Sequence, residues 1–502
     1  MNKRPNGKNK NPRYPAAIMN QTKKQFETVI GLEVHVQLNT RTKIFCGCPN
    51  LFGEAPNTLT CPVCLGLPGT LPVLNQQVLR HAIKIGLALN CEINPYIKFD
   101  RKNYYYPDLP KGYQISQFDY PIAKQGHLVI PQGEEKTKKI RINRAHMEED
   151  AGKLVHAKNS GSSLVDYNRT GTPLIEIVTE PDMNSPQEAY DYLQLLKLTL
   201  KYLDVSDCDM EKGSLRCDAN ISIREKGETQ LGTKTELKNL NSFKAVKAGL
   251  TFEAERQQAV ILANGQIIQE TRLWDENKNT TYSMRSKEGS HDYRYFPEPD
   301  LVPFTIGPET IDPIRETMGE LPAAKRDRLM QKYKISEYDA QILIQDKDIA
   351  SFFEECAQIC DETKKICNWM NGQLLQELNN RKVPFCDITL PAKALADIIT
   401  KTKDGTISNL AAKDILTAVI DTGRSVEDLI QKKGLAQMSD NDALAQLADE
   451  IIQANEKAAN EFKEGKQNVL GFLIGQAMKK TKGKANPKII GNIIQRRLID
   501  EK

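Results

Sequence analysis

Residues 27–38 read Glu27-Thr-Val-Ile-Gly-Leu-Glu33-Val-His35-Val-Gln37-Leu38. In a β-strand alternate side chains share a face, so Ile30, Leu32, Val34, Val36 and Leu38 point to a core while Gly31, Glu33, His35 and Gln37 share the other side. A carboxylate and an imidazole two residues apart on one face lie roughly 7 Å apart at Cα, and their side chains can converge on one ion. The alternation recurs. In Arg144-Ala-His146-Met-Glu148-Glu149-Asp150-Ala-Gly-Lys153 an extended chain puts His146, Glu148 and Asp150 on one face and turns Glu149 away. In Arg216-Cys-Asp218-Ala-Asn220-Ile-Ser222 the polar Asp218, Asn220 and Ser222 lie opposite Ala219, Ile221 and Ile223, and Glu236 and Lys238 follow in a shorter polar stretch. One such strand is compatible with a half-solvated sheet face. Several in one region predict a sheet whose open face is a carboxylate-lined cradle.

Working outward, strands are expected at 28–38, 137–150, 172–179 and 217–224. Apolar spacing predicts a helix over 75–89. A second opens at the capping box Ser185-Pro-Gln-Glu188, with Ala189, Leu193, Leu196, Leu200 and Leu203 as its stripe. A third runs from Ser242 to the stop signal Asn264-Gly265. Regular βα alternation is missing, so the fold class is α+β. Beyond Glu298-Pro-Asp-Leu-Val-Pro303 the pattern turns almost wholly helical from Leu321 to Gly434, and a last helical segment spans 439–502.

The 502 residues, 39% hydrophobic and 27% charged, suit several globular domains. No apolar run approaches the roughly 18 residues of a membrane span, and residues 1–24 lack the apolar core of a signal peptide, so a cytoplasmic location is expected. The net charge of +4 conceals a layout. Residues 1–24 carry seven basic and no acidic side chains, and 451–502 carry eleven basic against five acidic, leaving an acidic body between basic ends. That distribution suits a polyanion held at the ends.

Oxygen ligands gathered on a sheet suit Mg²⁺ with water and nucleotide phosphates. P-loop, kinase and dinucleotide-binding glycine signatures are all missing, so any ATP would depend on metal to hold its phosphates. In Lys98-Phe-Asp-Arg101-Lys102-Asn-Tyr104-Tyr105-Tyr106-Pro107 aromatics interleave with bases, a texture able to stack an unpaired base and hold its phosphates. Arg285 to Pro297 has a weaker form of it. Cys46-Gly-Cys48 and Cys61-Pro-Val-Cys64, separated by a twelve-residue loop, match a closed tetrahedral Cys₄ zinc knuckle, which is structural because no ligand position stays open. The other seven cysteines read as buried small apolar residues, and His81, His127, His156 and His291 as structural or exposed. No G-x-S-x-G occurs and no cysteine sits near a histidine partner, so an acyl or ammonia donor must come from elsewhere.

Val29–Leu38, Phe99–Asp108, His146–Lys153, Arg169–Val178, Gly213–Ser222 and Asp292–Asp300 resemble the B-subunit family of the aspartyl/glutamyl-tRNA amidotransferases, and the likeness runs from about Phe26 to the C-terminus. The resemblance implies a basic flexible extension over 1–25 and a glutamine-synthetase-like cradle with a mostly antiparallel sheet over 26–318, its zinc loop at 46–64. An all-helical domain would follow over 319–436 and a small basic helical tail domain over 437–502. It further implies that misacylated Glu-tRNA(Gln) and/or Asp-tRNA(Asn) is phosphorylated by ATP on its side-chain carboxylate. Ammonia from a glutamine amidase subunit then displaces the phosphate, in a heterotrimer bridged by a small third subunit. Carried over by residue, Glu33, His35, Glu148 and Glu236 would ligate Mg²⁺, with Asp150 and Asp218 nearby, and Glu148, Asp218, Asn220 and Glu236 would face the nucleotide. Lys102 would neutralise the acyl phosphate beside Tyr104 and Tyr105 at the tRNA terminus. Lys479, Lys480, Lys482, Lys484, Arg496 and Arg497 would meet the tRNA body. The alternative is a non-catalytic tRNA-binding adaptor of the same complex.

Overall fold

A computed structural model describes residues 25–500 apart from 133–135, 157–160, 285–292, 436–440 and 482–484. The chain divides into two compact units, the first ending at Leu321 and the second beginning at Pro322.

The first unit is built on a nine-stranded sheet: β1 (Phe26–Gln37), β2 (Glu92–Ile93), β3 (Ala123–Pro131), β4 (Thr137–Glu149), β5 (Pro173–Thr179), β6 (Leu215–Glu225), β7 (Thr235–Lys238), β8 (Glu270–Asp275) and β9 (Thr280–Ser283). The strand order is β9-β8-β7-β6-β1-β5-β4-β3-β2. Every pair is antiparallel except β7 with β8, which run parallel. A parallel step needs a crossover, and helix α3 (Phe243–Leu262) lies in that connection. The mixed class and the four expected strands are present. The strands β2, β3, β7, β8 and β9 complete the sheet from stretches the apolar pattern did not single out.

Helices α1 (Gln76–Ala88) and α2 (Pro186–Tyr202) precede α3, all three close to their expected bounds. Ser185 caps α2 by accepting the Glu188 backbone N–H. The reciprocal half of the expected capping box forms differently: the Glu188 carboxylate accepts from the Asn184 backbone N–H and from Lys138 Nζ, both at 2.7 Å. A charged donor on the neighbouring strand draws it one residue upstream.

The alternation of β1 divides the sheet into two faces. Ile30, Leu32, Val34, Val36 and Leu38 are fully buried and share one core cluster with Leu193, Leu196 and Leu200 of α2 and Val246 and Leu250 of α3. That face is covered by helices. The opposite face carries the polar side chains.

The second unit is helical from Pro322–Tyr333 to Pro487–Asp500, with a π-helical turn at Trp369–Leu374. Its apolar residues from Leu444 to Leu498 form a cluster of their own.

Because Leu32 is sealed between β1 and the helices, Leu32→Ala should cost about 2–5 kcal/mol through lost burial and an unfilled cavity. Urea unfolding of a Trp369→Phe background, read from buried Trp274, should show the midpoint fall. A midpoint shift no larger than that of the exposed Tyr105→Ala would contradict the packing.

Candidate active site and cysteine cluster

Strand register converts separated sequence stretches into rows across the polar face. His146, Glu176, His35 and Arg216 stand directly opposite one another on β4, β5, β1 and β6. The next row holds Arg144, Val178, Glu33 and Asp218, and the one beyond it Gly31, Asn220, Glu236 and Thr271. On the other side lie Glu148, Leu174 and Gln37.

At the centre two carboxylates meet two imidazoles. His35 Nε2 is 3.4 Å from Glu176 and 3.6 Å from Glu148, and His146 Nε2 is 3.2 Å from Glu176 and 3.7 Å from Glu148. Ligand atoms of His35, Glu148 and Glu176 all lie within 4.8 Å of one another. Burial alone would neutralise these groups. Instead, the pairing wins: burial lowers the His146 pKa less than Glu176 and Glu148 raise it, to about 9. Burial likewise opposes, and the carboxylates outweigh it, in raising His35. Against burial, His146 and His35 hold Glu176 well below the carboxylate range, and His146 and Lys102 hold Glu148 below it. Carboxylates and imidazoles thus shift one another in opposite directions across the cluster.

Glu176 was not among the residues singled out from sequence. Its one local signal is a lone acid inside the apolar run Pro173-Leu-Ile-Glu-Ile-Val178. Glu33 sits one row away, accepting from Asn220 Nδ2 at 3.0 Å. Burial, followed by repulsion from Glu176, Glu236 and Asp218, raises its pKa. Glu236 accepts from Thr271 Oγ1 at 2.6 Å and pairs with Lys238 at 2.9 Å, and Lys238 also reaches Asp218 at 2.6 Å. Asp150 is buried and is held by Arg216 at 2.6 Å, Gln37 at 2.9 Å and Arg169 at 3.4 Å. Glu149 does turn away, and its carboxylate pairs with Lys111 and accepts the Ile115 backbone N–H.

A small sheet of Phe296–Pro297, Asp100–Asn103 and Tyr113–Ser116 reaches the carboxylates through Ser116, whose hydroxyl lies 3.3 Å from Glu148 Oε2. Lys102, on its middle strand, places Nζ 5.0 Å from the centroid of the Tyr293 ring. Burial would deprotonate it, but Glu148, Tyr295 and Glu176 hold the ammonium charged. Tyr104 packs edge-on against Tyr293 and Tyr106, while Phe118 and Tyr295 stack at 4.2 Å. Tyr105 is 84% exposed.

In the second unit Lys479, Lys480, Arg496 and Arg497 are exposed, with Lys480 paired to Glu450 and Arg497 to Asp449. Lys482 and Lys484 lie outside the described residues, as do His291 and the side chain of His156. His81 is buried against the Asn39 carbonyl, and His127 is half-buried.

The four thiols of Cys46, Cys48, Cys61 and Cys64 converge, every Sγ within 4.8 Å of the others. Cys61 caps the short turn Pro62–Leu65, which brings the second pair together. Lys43 is completely buried beneath them, with Nζ 2.7 Å from the Leu59 carbonyl and 3.8 Å from Cys64 Sγ. A hydrogen bond from Cys46, with the Cys61 backbone N–H and Lys43, outweighs burial and lowers the Cys64 pKa to about 5. Four sulfur donors beside a buried cation fit a thiophilic metal. Of the remaining seven cysteines five are buried as expected, but Cys91 is half-buried and Cys386 is exposed; Cys386 lies in a 3₁₀ turn outside the helical core.

Comparison with known proteins agrees over nearly the whole chain. Residues 28–312 match the GatB/GatE catalytic domain, and residues 351–498 match the GatB domain. The B subunit of the aspartyl/glutamyl-tRNA(Asn/Gln) amidotransferase from Carboxydothermus hydrogenoformans is 50% identical over 478 residues, covering 95% of this chain and 99% of that protein. The protein of the same name from Brevibacillus brevis is 50% identical over 471 residues, covering 94% and 98%. That from Rippkaea orientalis is 48% identical over 486 residues, covering 95% and 98%.

Elemental analysis of the purified chain should find about one thiophilic metal per chain, as a closed four-thiolate site requires. Cys61→Ser should release it to a chromogenic chelator and lower the thermal midpoint. Full metal retention by that variant would show that the thiols do not act together.

Proposed function

The chain belongs to the family of aspartyl/glutamyl-tRNA(Asn/Gln) amidotransferase B subunits, and we propose that its polar sheet face is the cradle in which the side-chain carboxylate of a misacylated tRNA is activated. It is a subunit of a glutamine-hydrolysing, tRNA-dependent amidotransferase, which converts Glu-tRNA(Gln) or Asp-tRNA(Asn) to the amide. The observation carrying this reading is the convergence of His35, Glu148 and Glu176, braced by His146, from three neighbouring strands.

A carboxylate resists ammonia because it is anionic and would have to expel oxide. In the first step its oxygen forms a bond to the γ-phosphorus of ATP as the bond to the bridging oxygen breaks, and ADP leaves with the electron pair. In the second, ammonia bonds to the acyl carbon, the carbon–oxygen bond breaks, phosphate departs, and nitrogen loses a proton. The donor set fits a hard divalent cation completed by water and phosphate oxygens; Mg²⁺, when bound, offsets the charge of carboxylate and triphosphate brought together. His35, Glu148 and Glu176 would hold it, and His146 orients both carboxylates from behind. Glu33, Asp218, Asn220 and Glu236, in the two adjoining rows, would face the nucleotide or a second ion. Asp150 is engaged by two arginines and serves to position Arg216. Lys102, beside Glu148 and Glu176 yet in no ion pair with either, would take up the charge of the acyl phosphate.

Ammonia would come from an amidase partner joined by a small bridging protein, consistent with the lack of a nucleophile motif here. The Cys₄ knuckle would carry structural Zn²⁺, whose four thiolates leave a negative charge that buried Lys43 offsets. The basic tail domain over 437–502 would bind the tRNA body through phosphates. No described helix is long and apolar enough to cross a membrane, and a cytoplasmic site of action fits a tRNA substrate.

Glu148→Gln should lower tRNA-dependent ATP cleavage by the assembled complex by more than about 100-fold, the scale of losing one electrostatic anchor, while glutamine hydrolysis by the partner persists. Retained ATP cleavage would refute the cradle and favour an adaptor role. Removing 439–502 should weaken tRNA binding and flatten its dependence on salt, because fewer phosphates are neutralised. An unchanged salt slope would refute the tail's role.

A further inference from the structure

Lys102 apart, the cations around the polar face are nearly all committed. Arg216 and Arg169 hold Asp150, Lys238 holds Asp218 and Glu236, Lys111 holds Glu149, and Arg101 holds Glu298 and Asp300. Arg144 is different. It lies on β4 opposite Val178 and Lys124, two residues along the strand from His146 and on the same face. It is half-buried, yet among the described residues its guanidinium makes no hydrogen bond or ion pair. None of its nitrogens is a buried atom without a partner, so its N–H donors face solvent and are open to a ligand.

Register also locates Arg144 relative to the reacting groups. It shares a row with Glu33, two strands away, which is about 10 Å at the spacing of adjacent strands. The row beside it carries Glu176 and His35. Arg144, Lys102, Glu148 and Glu176 all lie close enough to Tyr295 to act on its hydroxyl electrostatically.

We propose that the Arg144 guanidinium grips the γ-phosphoryl group of ATP and keeps it during transfer to the tRNA-borne carboxylate. The inference rests on the cradle reading above and adds to it a specific anchor for the moving group. A planar fork of N–H donors matches two oxygens of a phosphoryl group, whereas an ammonium offers only a point charge. The attacking carboxylate must keep a lone pair free, so a fork closed on both of its oxygens would oppose reaction. The phosphoryl group has three oxygens to spare, and its charge is otherwise brought up against Glu33, Glu148 and Glu176. The bond from γ-phosphorus to the bridging oxygen breaks while the bond to the carboxylate oxygen forms, with ADP taking the electron pair. Arg144 exchanges no proton in the step.

The test uses the assembled complex containing the full chain, with Mg²⁺ and either the β,γ-imido analogue of ATP or ADP as probes, by equilibrium binding without tRNA. Arg144→Ala should lower the affinity ratio of analogue to ADP by about 10-fold or more, the scale of one charge-assisted bond, and slow tRNA-dependent ATP cleavage by about 100-fold. Arg144→Lys, which keeps the charge and loses the fork, should recover only part of the ratio, and it carries the test if the alanine variant does not fold. An unchanged ratio in Arg144→Lys and in folded Arg144→Ala overturns the proposal. So does a loss confined to tRNA affinity, which would give Arg144 to a backbone phosphate. Glu148→Gln is measured alongside: if it abolishes ATP cleavage while the Arg144 variants behave as the parent, only this inference fails, and if it cleaves ATP normally the cradle reading itself fails.

Discussion

Two buried carboxylates, Glu148 and Glu176, held within hydrogen-bonding or near hydrogen-bonding distance of the buried His146 and the half-buried His35, are the constraint around which the first unit is organised. Like charges so close and so poorly solvated repel strongly. The cluster persists because strand pairing fixes the backbone beneath it and because His35, His146 and Lys102 supply positive charge from three directions. Ligand atoms of His35, Glu148 and Glu176 are thereby brought within 4.8 Å of one another.

The helices on the far side of the sheet make that arrangement possible. Each core-facing residue of β1 is sealed by α2 and α3, so the strand cannot slip by one residue without exchanging its apolar and polar faces. Burial on one side thus sets which side chains appear on the other. Lys102, carried by the small sheet, and the aromatic rings that flank its strands are positioned by a separate route. The cysteine knuckle is a third device: the side chain of buried Lys43 lies beneath the thiols, its Nζ 3.8 Å from Cys64 Sγ.

The charge layout gains meaning once the faces are known. The acidic character of the body is concentrated partly on the cradle, where it is balanced by fixed arginines and lysines. The basic excess near the C-terminus belongs to the second unit, whose exposed Lys479, Lys480, Arg496 and Arg497 lie on its last two helices. The polar sheet face and these exposed bases thus belong to different units of the chain.

What could be read without coordinates was whatever repeats along the chain at short range. The two-residue period of Glu33/His35, His146/Glu148 and Asp218/Asn220 declared the polar face, and the cysteine spacing declared the knuckle, since both depend only on local backbone geometry. The long motifs likewise identified the family. Lateral order was not legible: β1 lies between β5 and β6, strands far from it in the chain. That order brought Glu176 and His146 into the cluster, set Glu33 and Glu236 in neighbouring rows, and assigned Asp150 to Arg216. It also left Arg144 without a partner among the described residues. Periodicity is a property of one strand, whereas a shared site is a property of which strands pair and in what register, and only the folded sheet decides that.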